Sequence, residues 1–232
     1  MDHASQLRVV SYNLNSWSGD VATLTASVRA LTPDVLMLQQ VLSWQDPRSW
    51  FLDLAGRFGM AYAFGGLSAF GNAVLASTAV TVHGWRIVRY PLVWPRDSPR
   101  AAVLMSCSIS GVRLVAAGSH LSADANVRQR QAAVLKQAMN AAGAPVLAGV
   151  DVNDTSTGAA WRTIADGLVD AAEATGQAGV PTFPTRAPTR RIDAIFVHPS
   201  LPVSDYRVVD TPQTRAASDH FPLYADVALA GG

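Results

Sequence analysis

Cysteine, lysine and glutamate are nearly missing from this chain, and each scarcity narrows its chemistry. Cys107 is the only cysteine in 232 residues. An intrachain disulfide is therefore excluded, as are zinc sites built from several cysteines. Cys107 lies in the apolar run AAVLMSCSI, where a buried, inert thiol is the default. Glu173 is the only glutamate, so any further carboxylate in a site must come from aspartate. Lys136 is the only lysine. The remaining basic side chains are arginines, which form bidentate forks to phosphate, although a GC-rich coding sequence accounts for the same usage. Long apolar runs are absent too: none reaches the ~18 residues of a membrane span. The opening stretch MDHASQLRVV has neither the basic region nor the apolar stretch of a signal peptide. These features read as a soluble, cytoplasmic protein, a monomer without a membrane span.

Charge of either sign is also balanced. The formal net charge is +1, which gives no basic footprint for tight, non-specific binding to DNA. About half of the chain is apolar (49%), enough for a large core. The length and the lack of any compositional break, repeat or low-complexity segment suit one domain over residues 1–232. Apolar runs alternate with amphipathic ones. Strands are expected at LRVVSYNL, DVLMLQQV, MAYAFGG, NAVLAS, VTVHGWRIVRY, PVLAGVDV, RIDAIFV and FPLYADVAL. RAAVLMSCSI and VRLVAAGSHL are joined across Ser110-Gly111, a hairpin signal. Helices are expected from Asp20 to Leu31, from Pro47 to Gly59, from Ala123 to Gly143 and near Ala159 to Ala165. Hairpins mixed with crossover helices predict an α/β fold with mixed sheets.

Polar residues interrupt this apolar pattern at strand ends: Asn13 and Asn15 in SYNLN, Gln40 in LQQV, His120 in GSHLS, Asp151 and Asn153 in GVDVND, Asp193 in RRIDAIFV, and Asp219 and His220 in ASDHFPL. Singly, each has a structural explanation, because Asn and Asp form turns and a histidine after a strand often serves as a hydrogen-bonding group. As a set they are the groups needed for metal-assisted phosphoester cleavage. Asp and Asn oxygens suit a hard cation such as Mg²⁺. A His paired with an Asp can take a proton from water, and a second His or an amide can stabilise phosphoryl oxygens.

In these motifs the chain resembles the endonuclease/exonuclease/phosphatase superfamily, which includes pancreatic-type deoxyribonucleases, exonuclease III-type apurinic endonucleases, sphingomyelinases and inositol polyphosphate 5-phosphatases. VVSYNLNS resembles the family's first-strand asparagine motif, DVLMLQQV its LQE motif, GSHLS its THL, AGVDVN its GDFN, RRIDAIFV its RIDYIFV and SDHFPL its SDHxPV. All six stand in the family's order between Arg8 and Val227. The resemblance implies a four-layer sandwich, two mixed sheets packed face to face with helices outside, and a metal-dependent phosphoesterase. It implies Mg²⁺, or Mn²⁺ in its place, held by Asn13 and the position of Gln40, with Asp219 near and Asn15 joining them. It implies His220 as general base, Asp193 fixing its tautomer, Asp151 and Asn153 facing the attacking water or leaving oxygen, and His120 on a phosphoryl oxygen. Arg100 is a candidate phosphate contact, or else a surface arginine.

Gln40 departs from the family, which has its charged metal ligand there. Glutamine keeps the shape and loses the charge on which a hard cation depends. Three explanations stand: an engineered trapping variant, a natural enzyme whose metal rests on Asp219, Asp151 and the amides, or a protein repurposed to bind or transform a small molecule in the same cleft. The substrate class reads as a nucleic acid or a small phosphorylated molecule. Arginines cluster in WRIVRYPLVWPRDSPR and TRAPTRR, with Trp94 and Phe183 among or beside them as groups able to stack on bases, or as packed aromatics of solvated loops. Nothing resembles the membrane-inserting apolar hairpin of a sphingomyelinase.

Overall fold

Period-two alternation sets the architecture of the computed structural model, which describes residues 5–16, 20–41, 47–95 and 97–229. Residue 96, in the first arginine cluster, and residues 1–4 of the opening stretch lie outside that description. One mixed sheet contains β1 (Ser5–Asn13), β2 (Val35–Gln39), β3 (Tyr62–Gly66), β4 (Asn72–Ala76), β11 (Val203–Val208) and β12 (Leu223–Leu229), in the order β11-β12-β1-β2-β4-β3. The other contains β5 (Thr81–Arg89), β6 (Ala101–Ile109), β7 (Val112–His120), β8 (Val146–Asp151), β9 (Val169–Asp170) and β10 (Asp193–Val197), in the order β5-β6-β7-β8-β10-β9.

Inward-facing residues of both sheets, among them Val9, Met37, Val74, Val103, Ala116, Leu147 and Ile195, form the central core. Alternate residues of the first sheet (Val10, Tyr12, Leu36, Leu38) meet α1 (Val21–Leu31) and α2 (Pro47–Arg57). Those of the second (Leu104, Ala117, Ala148, Phe196) meet α3 (Ala125–Asn140) and α4 (Ala159–Ala165). The expected four layers are therefore present. Asp20 caps α1 by accepting from the Ala22 and Thr23 amides, and Asp124 caps α3 in the same way. On α3, Val127, Ala132, Leu135 and Met139 are buried, as their spacing predicts. Ser110 and Gly111 both take positive φ, so the β6–β7 hairpin has the tight turn its sequence signals. Short elements escaped the sequence: β9, β11, α5 (Ala171–Ala174), α6 (Pro212–Ala217) and a 3₁₀ turn at Leu67–Ala69. Four of these span too few residues to show a period, and β11, an edge strand with a mostly polar, half-exposed sequence, lacks an apolar run. Among the described residues, no helix is long and apolar enough to cross a membrane.

The topology decides where the polar strand ends go. β1 and β2 are parallel, as are β7 and β8, so Asn13, Gln40, His120 and Asp151 all leave their strands at one edge. β10 runs antiparallel to β8, and β12 antiparallel to β1. Asp193, which opens β10, and His220, which precedes β12, therefore reach the same edge. In register, His120, Asp151 and Asp193 form one row across the second sheet.

Below that edge the two sheets approach closely at Gly118 and Gly149. A Cβ on Gly149 would lie 2.8 Å from both Cβ and Oγ of Ser11 and from Cε of Met37. Gly149→Ala is expected to lower unfolding free energy by about 1–3 kcal/mol through overpacking. Urea denaturation of the two proteins checks this.

Candidate active site

Asp151 is the centre of the polar edge. It is 1% exposed, and a carboxylate so buried must be hydrogen-bonded. Its Oδ2 accepts from Asn13 Nδ2 at 2.7 Å, a bond that crosses from one sheet to the other. Its Oδ1 accepts from the Asn153 amide at 3.0 Å. His120 Nε2 and His220 Nε2 lie 3.3 and 3.9 Å from Oδ2. Burial raises the Asp151 carboxyl from its ordinary range, and the Asp193 charge adds to this, while His120, His220 and Asn13 oppose it.

His220 is held on its other side by Asp193. Its Nδ1 lies 3.1 and 3.0 Å from the two Asp193 oxygens. That geometry keeps a proton on Nδ1, which donates to Asp193, and turns Nε2 toward Asp151. Burial alone would lower the His220 pKa, but Asp193, then Asp151 and Asp219, outweigh it and raise the group to about 9. His120 has the opposite balance. Burial, with Arg100 and His220 adding to it, takes His120 down to about 4 against the pull of Asp151. The hydrogen bonds agree, since Asn153 Nδ2 lies 2.9 Å from both the Leu121 carbonyl and His120 Nε2. An amide donating to both requires a neutral His120 whose Nε2 accepts. His120 thus orients Asn153 in this arrangement, and donation to a phosphoryl oxygen would require the other tautomer.

The remaining expected residues sit as follows. Asn13 Oδ1 accepts from the Asn15 amide at 2.8 Å, and Asn15 has positive φ, so this pair forms the turn that ends β1. Gln40 is partly buried with φ 54 just beyond β2, while its neighbour Gln39 points inward and is fully buried. Asp219 Oδ1 lies 4.0 Å from His220 Nε2 and is buried with no hydrogen-bond partner among the described residues, although its side chain as a whole is 40% exposed. Arg100 pairs with Asp97 at 3.3 Å and reaches the His120 carbonyl at 3.5 Å. Gln131 holds Asp97 Oδ2 at 2.8 Å and accepts the Ser122 amide at 2.7 Å. Arg100 therefore braces the His120 strand end.

A divalent cation fits this set. Ligand atoms of Asp151, Asp193 and His220 all lie within 4.8 Å of one another. Asp193 and His220 are committed to each other, which leaves Asp151 and the orphaned oxygen of Asp219 as the charged donors. An unpaired buried carboxylate oxygen is costly and calls for a partner.

A model of the Endonuclease/Exonuclease/phosphatase family matches residues 10–220. The chain belongs to this family. No curated protein matches its sequence. Among solved structures, a mannosyl-6-phosphatase from Bacteroides thetaiotaomicron VPI-5482 superposes with a TM-score of 0.80 at 19% identity, covering 96% of this chain and 100% of that one. The human Nocturnin catalytic domain with bound sulfate gives 0.77 at 18%, covering 97% and 95%. D. rerio TDP2 with a single-strand DNA product gives 0.75 at 19%, covering 96% and 99%. At such identities these likenesses establish the common fold.

Sequence reasoning missed Thr182. It is fully buried, and its Oγ1 is 2.6 Å from Asp193 Oδ2. Its setting, the proline-rich loop GVPTFPTRAPTRR, hides it, and only the β-bridge between Phe183 and Arg190 brings it under β10.

The two histidines make opposite contributions to stability in the chelated protein. Below its ordinary 6.5, His120 is protonated in the unfolded chain but not in the folded one until about 4. Its stability contribution is therefore complete above pH 6.5 and lost as pH falls toward 4. His220 contributes fully below 6.5, and that is lost as pH rises through about 9. Each is worth at most roughly 3 kcal/mol. Urea melts across pH are expected to lose their acid slope in His120→Gln and their alkaline slope in His220→Gln.

Proposed function

We propose that this chain is a divalent-metal-dependent phosphoesterase that hydrolyses a phosphodiester or phosphomonoester of a nucleic acid or a small phosphorylated molecule. The observation that carries the reading is His220, held through Nδ1 by Asp193 with Nε2 turned toward Asp151 and Asp219. In this reading His220 takes a proton from the attacking water at Nε2, and Asp193 stabilises the imidazolium that forms. Asp151 and Asn153 orient the water or the leaving oxygen, with Asn13 and His120 holding them in place. Asp219, Asp151, Asn13 and Gln40, with Asn15 beside them, hold Mg²⁺, or Mn²⁺ in its place. When bound, the cation neutralises charge that develops on the phosphoryl oxygens.

Gln40 supports a second reading, a silent or repurposed family member that binds or transforms a small molecule in the same cleft. Its neutral amide stands where the resemblance places a carboxylate. Metal dependence separates the two. Hydrolysis of bis-p-nitrophenyl phosphate is expected with Mg²⁺ or Mn²⁺ and none with chelator. His220→Ala should lower kcat by about 10²–10⁴, and Asp219→Ala should abolish the metal response. Gln40→Glu restores a unit of charge and should raise apparent Mg²⁺ affinity about tenfold or more. Absence of cleavage by both this chain and Gln40→Glu, with every metal, would refute the hydrolase reading in favour of the second.

A further inference from the structure

The side chain that fixes Asp193 donates from a loop outside every recognisable motif. Two backbone amides, those of Ile192 and Asp193, donate to Thr182 Oγ1 at 3.1 and 3.3 Å. A hydroxyl oxygen has two lone pairs, and both are taken. Its own proton is left for Asp193 Oδ2 at 2.6 Å, the short distance of a bond to a charged acceptor. The carboxylate that faces His220 is therefore locked against rotation. The same residue also reaches the histidine's side. The Thr182 carbonyl accepts from the Phe221 amide at 2.9 Å, next to His220, while its amide donates to the Arg190 carbonyl at 2.8 Å. Phe183 packs its ring 4.6 Å from the imidazole, and the Arg190 guanidinium lies 5.0 Å from the Phe183 ring. Thr185 continues the strap, its amide on the Asp219 carbonyl at 2.8 Å and its hydroxyl on the Ser218 carbonyl at 2.9 Å.

We propose that Thr182 is the positioning residue of the Asp193–His220 pair, holding the carboxylate through its hydroxyl and the histidine's backbone through its carbonyl. Asp193 alone could rotate and lose its aim at Nδ1. With Thr182 in place, Nε2 keeps one direction, toward Asp151. The catalytic consequence rests on the phosphoesterase reading, whereas the geometric consequence does not.

The test uses this chain, in the Gln40→Glu background if turnover with Gln40 is slow. Thr182→Val and Thr182→Ala delete the hydroxyl, and Thr182→Ser keeps it. Turnover of bis-p-nitrophenyl phosphate is read together with the downfield proton resonance of His220 Nδ1–H, assigned by its loss in His220→Gln. The two deletions are expected to lower kcat about tenfold to a hundredfold with KM within about twofold, and to lose or shift the resonance. Thr182→Ser should keep kcat within about threefold and retain the resonance. Deletions that preserve both kcat and the resonance overturn the proposal. So does a serine variant that falls as far as valine, or a loss of folding in both deletions, which would make Thr182 a folding residue. If no form cleaves a phosphoester, the hydrolase reading fails, and the resonance alone decides the positioning role.

Discussion

A buried carboxylate joins the two sheets at the edge where the polar side chains gather. Asp151 ends β8 in the second sheet and accepts a hydrogen bond from Asn13, which ends β1 in the first. Burying that charge is expensive unless it is paired and hydrogen-bonded, so its neighbours must stand within reach. The Asn153 backbone amide and Asn13 donate to it, and the His220 imidazole supplies a nearby positive charge. The close approach of the sheets at Gly118 and Gly149 allows the contact.

The arrangement gives two similar histidines different characters. His120 sits between Asp151 and an amide that donates to it, and is held neutral. His220 faces three carboxylates, Asp193, Asp151 and Asp219, and favours the charged form. Pairs of groups whose environments push their pKa values apart mark acid–base assignments. A cation beside Asp219 would repel the imidazolium and bring His220 back toward the range in which it can accept a proton. The neutral Gln40 bears on the same balance, because it leaves Asp219 and Asp151 as the charged oxygens available to a cation.

The loop from Thr182 to Arg190 shows how a fold recruits residues that no motif announces. Its backbone pairs with itself at Phe183 and Arg190 and with Phe221, and this brings a hydroxyl under Asp193 and a ring against His220. Arg100 is a related case. Its charge suggested a phosphate contact or a surface arginine; in the fold it also meets Asp97 and the His120 carbonyl, and Gln131 on α3 holds Asp97 in turn.

The sequence by itself determined the layers. The apolar runs of β1, β2, β7 and β8, the Ser110-Gly111 turn and the spacing on α3 are local signals, and local propensity and burial agree there. It also determined which side chains end strands, and so which could meet: Asn13, Gln40, His120, Asp151, Asp193, Asp219 and His220. Elements of a few residues, such as α5, β9 and α6, were silent because they span too few positions to show a period. Only the tertiary structure decided who touches whom. That His120 meets Asn153, that Asp193 is shared between His220 and Thr182, and that Asp219 keeps an oxygen unpaired among the described residues depend on residues 11 to 33 positions apart meeting at one edge. Sequence spacing holds no record of such contacts, because their distances are set by sheet order and register.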